Sequence, residues 1–286
     1  MRRISSFLSV VVLIFASTAA FAQDDESIFR NGAWESRTID EGITLRQCQF
    51  EGSLFGSNQM VSILEIAPGY QFDVIEAPAE TLLKTTQFAS EAGAIAAVNG
   101  SFFRMRHPYG AVTYTRVDGE TVGENSNDSG REFWSRGSRQ NGSVAIFNGD
   151  FFIVKADAIR SWEKYIEAED VLTAGPLLRI GGKDVPQEEN SFNKTRHPRT
   201  VVGKRDDGTA VFVVVDGRAP QAAGMSTVEL RQMMGWLGCK DALNLDGGGS
   251  SAMVVRGEVV NFPCDNKKFD HAGERKVTNV ITVRAR

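Results

Sequence analysis

Leu243-Asn244-Leu245-Asp246-Gly247-Gly248-Gly249-Ser250-Ser251-Ala252-Met253 carries an apolar run onto one carboxylate, three successive glycines and two hydroxyls. Glycine tolerates positive φ and has no side chain, so the backbone N–H groups of such a turn can line a concave nest for an anion. The plainer alternative is a tight hairpin turn joining strands over Ala242–Asp246 and Ala252–Arg256. Two residues are enough to reverse a chain. Three glycines followed by two serines exceed that need and point to a site in which a carboxylate stands beside oxyanion donors.

Working upstream, Ala210–Val215 is apolar and β-branched, bounded by Asp206-Asp207-Gly208 and by Asp216-Gly217-Arg218. It reads as a central strand that ends, like Leu243–Asp246, on a carboxylate. Between the two, Ser226-Thr227-Val228-Glu229 is a capping box, and Val228, Leu230, Met233, Met234 and Leu237 follow at helical spacing until Gly238. The methionine pair reads as core filling rather than a cofactor site. Strand, helix, strand brings Asp216 and Asp246 to the C-terminal ends of two strands linked by a crossover helix. That order predicts a local parallel or mixed pairing and one crevice for both acids. Thr195-Arg196-His197-Pro198-Arg199-Thr200 sets two arginines and a histidine at the mouth of the apolar Val201-Val202-Gly203. Guanidinium groups match phosphate or carboxylate oxygens, so this run is either an anion clamp or an ordinary solvated face.

The remainder reads as mostly antiparallel. Ile28–Asp73 alternates short apolar and polar stretches with Gly-rich breaks, Thr81–Ala92 has helical spacing, and the strand Ala94–Val98 runs into Asn99-Gly100-Ser101-Phe102-Phe103. Gly142–Phe147 and Phe151–Lys155 are joined by Asn148-Gly149-Asp150, a strong hairpin signal. Arg104–Asn141, with a strand over Tyr109–Val117 inside it, reads as long loops, and Lys183–Asn193 as an exposed insertion. The fold class is therefore α+β, with a mixed, largely antiparallel sheet and a few packed helices.

Residues 1–22 carry Arg2 and Arg3, an apolar Phe7–Phe15 and Ala20-Phe21-Ala22, the pattern of a secretory signal peptide. The expected mature chain, 23–286, is one domain with a periplasmic or secreted location. No stretch approaches the roughly 18 apolar residues of a membrane span. Loss of the two leader arginines takes the formal charge from −4 to −6, and nothing in that balance suggests a nucleic-acid partner. The three cysteines allow a Cys239–Cys264 disulfide that leaves Cys48 free, or three buried thiols.

Two carboxylates beside arginine and amide donors fit acid–base hydrolysis of an acetal or phosphate-linked substrate. The same pair could ligate a hard divalent cation, though no dense Asp-x-Asp loop is present. His107, His197 and His271 lie far apart without zinc-site spacing, and Gly-x-Ser-x-Gly and Gly-Lys-Ser/Thr motifs are missing. A nucleophilic Ser250 or Ser251 has no specified base.

The ordered set Ala97-Val98-Asn99-Gly100-Ser101-Phe102-Phe103, Ala174-Gly175-Pro176, Arg199-Thr200, Val215-Asp216-Gly217-Arg218, Gly224-Met225-Ser226, Asn244–Met253 and Asn279 resembles the phosphodiester glycosidases. The likeness covers about residues 90–286; the family usually shows Asn-Gly-Gly-Phe-Phe, so Ser101 is a departure. It implies hydrolysis of the sugar side of a sugar-1-phosphodiester in a glycan, with no required cofactor. It further implies catalytic or organising roles for Asp246 and Asp216, and phosphate binding by Arg199 and Arg218. Asn99, Gly247, Gly248 and Gly249 would contact sugar or oxyanion, with Ser250 and Ser251 in the same substrate site. Two rival expectations are an envelope or exopolysaccharide glycan-binding protein without turnover, and a metal-dependent phosphodiesterase.

Overall fold

The computed structural model describes residues 24–125, 140–159 and 161–286; the expected leader lies outside them, as do residues 126–139 of the Arg104–Asn141 loop segment. Eight strands form a large sheet in the order Glu35–Asp40, Ile43–Phe50, Gln59–Ile66, Ala210–Val215, Arg199–Arg205, Cys239–Asn244, Leu177–Ile180 and Lys183–Asp184. Every neighbouring pair in it is antiparallel. Ala210–Val215 is buried at every position because both sheet faces are covered. Phe212 and Val214 enter one core, while Val211, Val213 and Val215 enter another with Leu230, Met233 and Met234 of the helix Thr227–Trp236. A strand covered on both sides has no polar face to alternate, hence its continuous apolar run.

A second sheet orders Glu258–Val259, Met253–Val255, Ala96–Asn99, Asn279–Ala285 and Tyr70–Glu76. A third orders Asp150–Lys155, Gly142–Phe147, Asp170–Ala174, Thr115–Val117 and Glu120–Gly123. The three sheets share one core, to which Leu64 and Leu243, Val98 and Ile281, and Val144 and Leu172 contribute respectively. In the third sheet Phe147 pairs with Asp150, leaving Asn148 and Gly149 as a two-residue turn with φ of 50° and 75°. Both values are positive, as the Asn-Gly hairpin signal requires.

Three sequence expectations change here. The strands Ala210–Val215 and Cys239–Asn244 do not pair in parallel, because Arg199–Arg205 lies between them, antiparallel to both. They still run the same way, so Asp216 and Asp246 emerge at one end of the sheet, two strand spacings or about 10 Å apart. The glycine turn is not a hairpin either: Cys239–Asn244 belongs to the large sheet, and Met253–Val255 pairs with Ala96–Asn99 in the second. Finally, Cys48, Cys239 and Cys264 are all free. Cys239 opens a strand whose six residues span roughly 17 Å, and Cys264 lies beside Arg218 near the far end. No disulfide bridges such a gap.

The helix expected over Thr81–Ala92 occupies Thr85–Glu91, preceded by a short strand Leu83–Lys84. Gln87 Oε1 accepts from the Lys84 amide at 3.0 Å and sets the start there.

Candidate active site

Where the chain leaves the large sheet, backbone bonds from Leu245 to Thr200 (2.9 Å) and from Asp246 to Gly100 (3.0 Å) join the two sheets. Asn99 locks the junction. Its Nδ2 donates to the Asp246 carbonyl at 2.8 Å, and its Oδ1 accepts from Thr200 Oγ1 at 2.6 Å and from the Ala252 amide at 3.1 Å. With no exposed surface, Asn99 is spent on holding both ends of the glycine turn.

The turn packs against the main chain of the basic run. A Cβ on Gly247 would stand 2.7 Å from the Pro198 carbonyl, and Gly248 sits at φ +63°. Its amides largely serve the protein itself: Gly247 N–H donates to Asp246 Oδ1 at 2.9 Å, and Gly248 N–H to Pro198 O at 2.8 Å. Two guanidinium groups lie beside the turn. Arg218, exposed and at φ 62°, places Nη2 2.9 Å from where a Gly248 Cβ would be. Arg275 and Asp265 lie directly against Gly249, with Arg275 Nε donating to Asp265 Oδ1 at 2.9 Å. Arg275 is a site residue that sequence reasoning missed; it stands in a polar stretch without periodicity or motif.

Of the basic run's arginines, neither presents an open clamp. Arg196 is held by Glu229 at 3.0 Å. Arg199 is 1% exposed, donates to the carbonyls of Met225, Phe192 and Thr195, and stacks 4.7 Å from the Phe192 ring centroid. Burial, then the nearby Arg199 and Arg218 charges, hold the His197 pKa below its ordinary value.

Asp216 was expected to open onto the same crevice as Asp246; the structure covers it to 1% exposure. Its Oδ1 accepts from Asn261 Nδ2 at 2.8 Å and from the Phe262 amide at 3.0 Å, and burial pushes its pKa up to about 7. Its Oδ2 has no hydrogen-bond partner among the described residues, nor do the buried Ser250 and Ser251 hydroxyls. Asn261, also unforeseen, donates to the Ser251 carbonyl at 3.2 Å and accepts from the Met253 amide at 2.8 Å. Asp216 thus reaches the turn through Asn261 rather than through open space.

The Ser101 departure is accommodated by Asn279. Asn279 Oδ1 accepts from the Ser101 amide at 2.7 Å and Nδ2 donates to Ser101 Oγ at 2.9 Å. Glu76 accepts from Thr278 and Asn279 behind this contact, and burial lifts its pKa to about 6. Among the described residues, no three of His, Cys, Asp and Glu gather closely enough to hold a metal ion, and no helix is long and apolar enough to cross a membrane.

A family model described as phosphodiester glycosidase matches residues 92–284. The chain belongs to that family, a family of hydrolases. Among individual proteins, it is 29% identical over 220 residues to the N-acetylglucosamine-1-phosphodiester alpha-N-acetylglucosaminidase of Bos taurus, covering 68% of this chain and 38% of that protein. With the Mus musculus protein of the same name it shares 30% identity over 202 residues, covering 62% of this chain and 35% of the relative. The chain therefore spans little more than a third of these relatives. The fold is also that of the zebrafish enzyme's catalytic domain, solved in a form auto-inhibited by its pro-peptide, with TM-score 0.67 at 18% identity over 88% of each chain.

Proposed function

We propose that this protein hydrolyses the sugar side of a sugar-1-phosphodiester, with Asp246 acting at the anomeric carbon, Arg218 holding the phosphate, and Arg275, itself paired with Asp265, standing beside it. One observation carries the reading: Asp246, oriented by the Gly247 amide, immediately precedes a turn on which two guanidinium groups lie over consecutive glycines. The bond broken is that between the anomeric carbon and the bridging oxygen. That oxygen leaves on phosphate, which is stable as an anion, so preorganised cations can do much of what a general acid does for an ordinary glycoside. A single carboxylate at the open end then serves as base or nucleophile. Covered Asp216 takes the organising role, fixing Asn261 and Phe262 behind the turn, and Asn99 is a positioning residue.

N-acetylglucosamine, named in the relatives, is the first sugar to test. Export follows from the leader pattern at 1–22, and mass spectrometry of the protein from the culture or periplasm should find Gln23 as its first residue.

Asp246→Asn keeps an acceptor for the Gly247 amide and should lose nearly all turnover of an aryl N-acetylglucosamine-1-phosphodiester with an unchanged circular dichroism spectrum. In ¹⁸O-labelled water the wild type should place the label on the sugar. Label on phosphorus would replace this reading with a phosphodiesterase, and loss of turnover to a chelator alongside it would make that phosphodiesterase metal-dependent.

A further inference from the structure

Beyond Gly249 the surface does not close. A cavity of about 350 Å³ begins at the Arg275–Asp265 pair and continues along Leu82, Phe103 and Met105. Met105 is 61% exposed, and its sulfur lies 3.9 Å from Arg275 Nη1. Three of the charged groups lining this cavity are already matched: Asp265 holds Arg275, and Glu274 accepts from the Thr86 amide and hydroxyl, both at 2.8 Å. Lys276 is different. It lines the cavity, has no carboxylate partner among the described residues, and stands directly opposite Lys84 in the two-stranded ladder Leu83–Lys84 with Lys276–Val277. Like charges directly opposed across a ladder destabilise it unless an anion lies between them. An apolar floor beside the Lys276 ammonium, in the residue next to Arg275 at the proposed phosphate site and across the ladder from Lys84, is a binding surface rather than a packing defect.

We infer that this cavity is the subsite for the group beyond the phosphate, and that it takes a leaving group with an apolar ring face and a further negative charge. The substrate class is then a sugar-phosphate chain cut at an internal diester, with the next phosphate meeting Lys276 and Lys84. This rests on the glycosidase reading above and adds what lies on the far side of the scissile bond.

The test compares two substrates with the same sugar and scissile phosphate, one a methyl diester and the other continuing through a second sugar to a second phosphodiester. The wild type should favour the longer substrate in kcat/KM at low salt, and the preference should shrink as salt rises. Lys276→Ala and Lys84→Ala should each raise KM for the longer substrate by about tenfold, a typical loss for one charge-assisted contact, and leave the methyl diester unchanged. Met105→Ala should act in the same direction. Equal kcat/KM for both substrates in the wild type, or equal losses on both in the lysine variants, would overturn the subsite. Should neither substrate turn over, the functional reading fails on its own. Calorimetric binding of the two diesters to Asp246→Asn would then still judge the cavity: tighter binding of the longer one, lost with Lys276→Ala, supports it, and indistinguishable binding overturns it.

Discussion

A carboxyl group at 1% exposure with one oxygen that no described residue bonds is an unusual investment, and Asp216 makes its cost measurable. Burial disfavours the charged form more than the Asn261 and Phe262 bonds favour it, so the folded-state pKa rises from the ordinary 3.8 to about 7. A pKa raised by folding means that the folded state holds the proton more tightly than the unfolded one. The resulting stabilisation is complete below about pH 4 and is lost as pH climbs through 7. Asp216→Asn removes this dependence while keeping an oxygen to accept from Asn261 and Phe262. The variant should therefore gain on the wild type as pH rises, by on the order of a few kcal/mol between pH 4.5 and pH 8. Urea unfolding of both proteins at those two pH values measures the gain, and Glu76, which titrates near 6 in both, cancels in the difference. A gap between them that does not change with pH would mean that Asp216 stays ionised in the fold.

Elements whose cause is local are legible in the sequence. The strand Ala210–Val215 has the bounds its apolar run suggests, Asn148-Gly149 makes the turn its φ preferences require, and Ser226 caps the helix Thr227–Trp236. In that cap Ser226 Oγ accepts from the Glu229 amide at 3.2 Å while Glu229 Oε2 accepts from the Ser226 amide at 2.8 Å. Ser226→Ala should cost about 1 kcal/mol of stability, read as a lower urea midpoint at unchanged slope. Glu229 also anchors Arg196. If the variant loosened that second tie, the loss would exceed the capping figure, and a Ser226→Ala, Arg196→Ala double cycle would show the coupling. Elements whose cause is distant stayed hidden. Nothing in residues 243–253 says that the chain changes sheets there, since a glycine turn serves a hairpin or a crossing equally. The insertion of Arg199–Arg205 between two strands joined by a helix is a choice of sheet order that local pattern does not encode. Arg275 and Asn261 come to the turn from a coil segment with no period to read, whereas Arg199, which looked like a clamp, is drawn under Phe192 by three carbonyls.

At the scale of the molecule, the sheets are held together without a covalent tie, through one core shared by all three and through the Asn99 junction under the glycine turn. That arrangement is informative for a chain expected in an oxidising compartment, where suitably placed cysteines would pair. Cys239 lies at the end of the large sheet away from the glycine turn, and burial pushes its thiol up to about 12. Cys48 is buried as well, with its thiol pushed up to about 11. Cys264 alone is half-open, near Arg218 and Arg275, although burial still raises its pKa above the usual value. Thiolate is the reactive form, so in the native protein only Cys264 should react appreciably with a thiol reagent. In urea without reductant all three should titrate. A single thiol per unfolded chain would instead reveal a disulfide. Because Cys239 cannot reach the turn without leaving its strand, a Cys239–Cys264 bridge would require a different path for the chain between residues 239 and 264, and with it a different partner for Asp246.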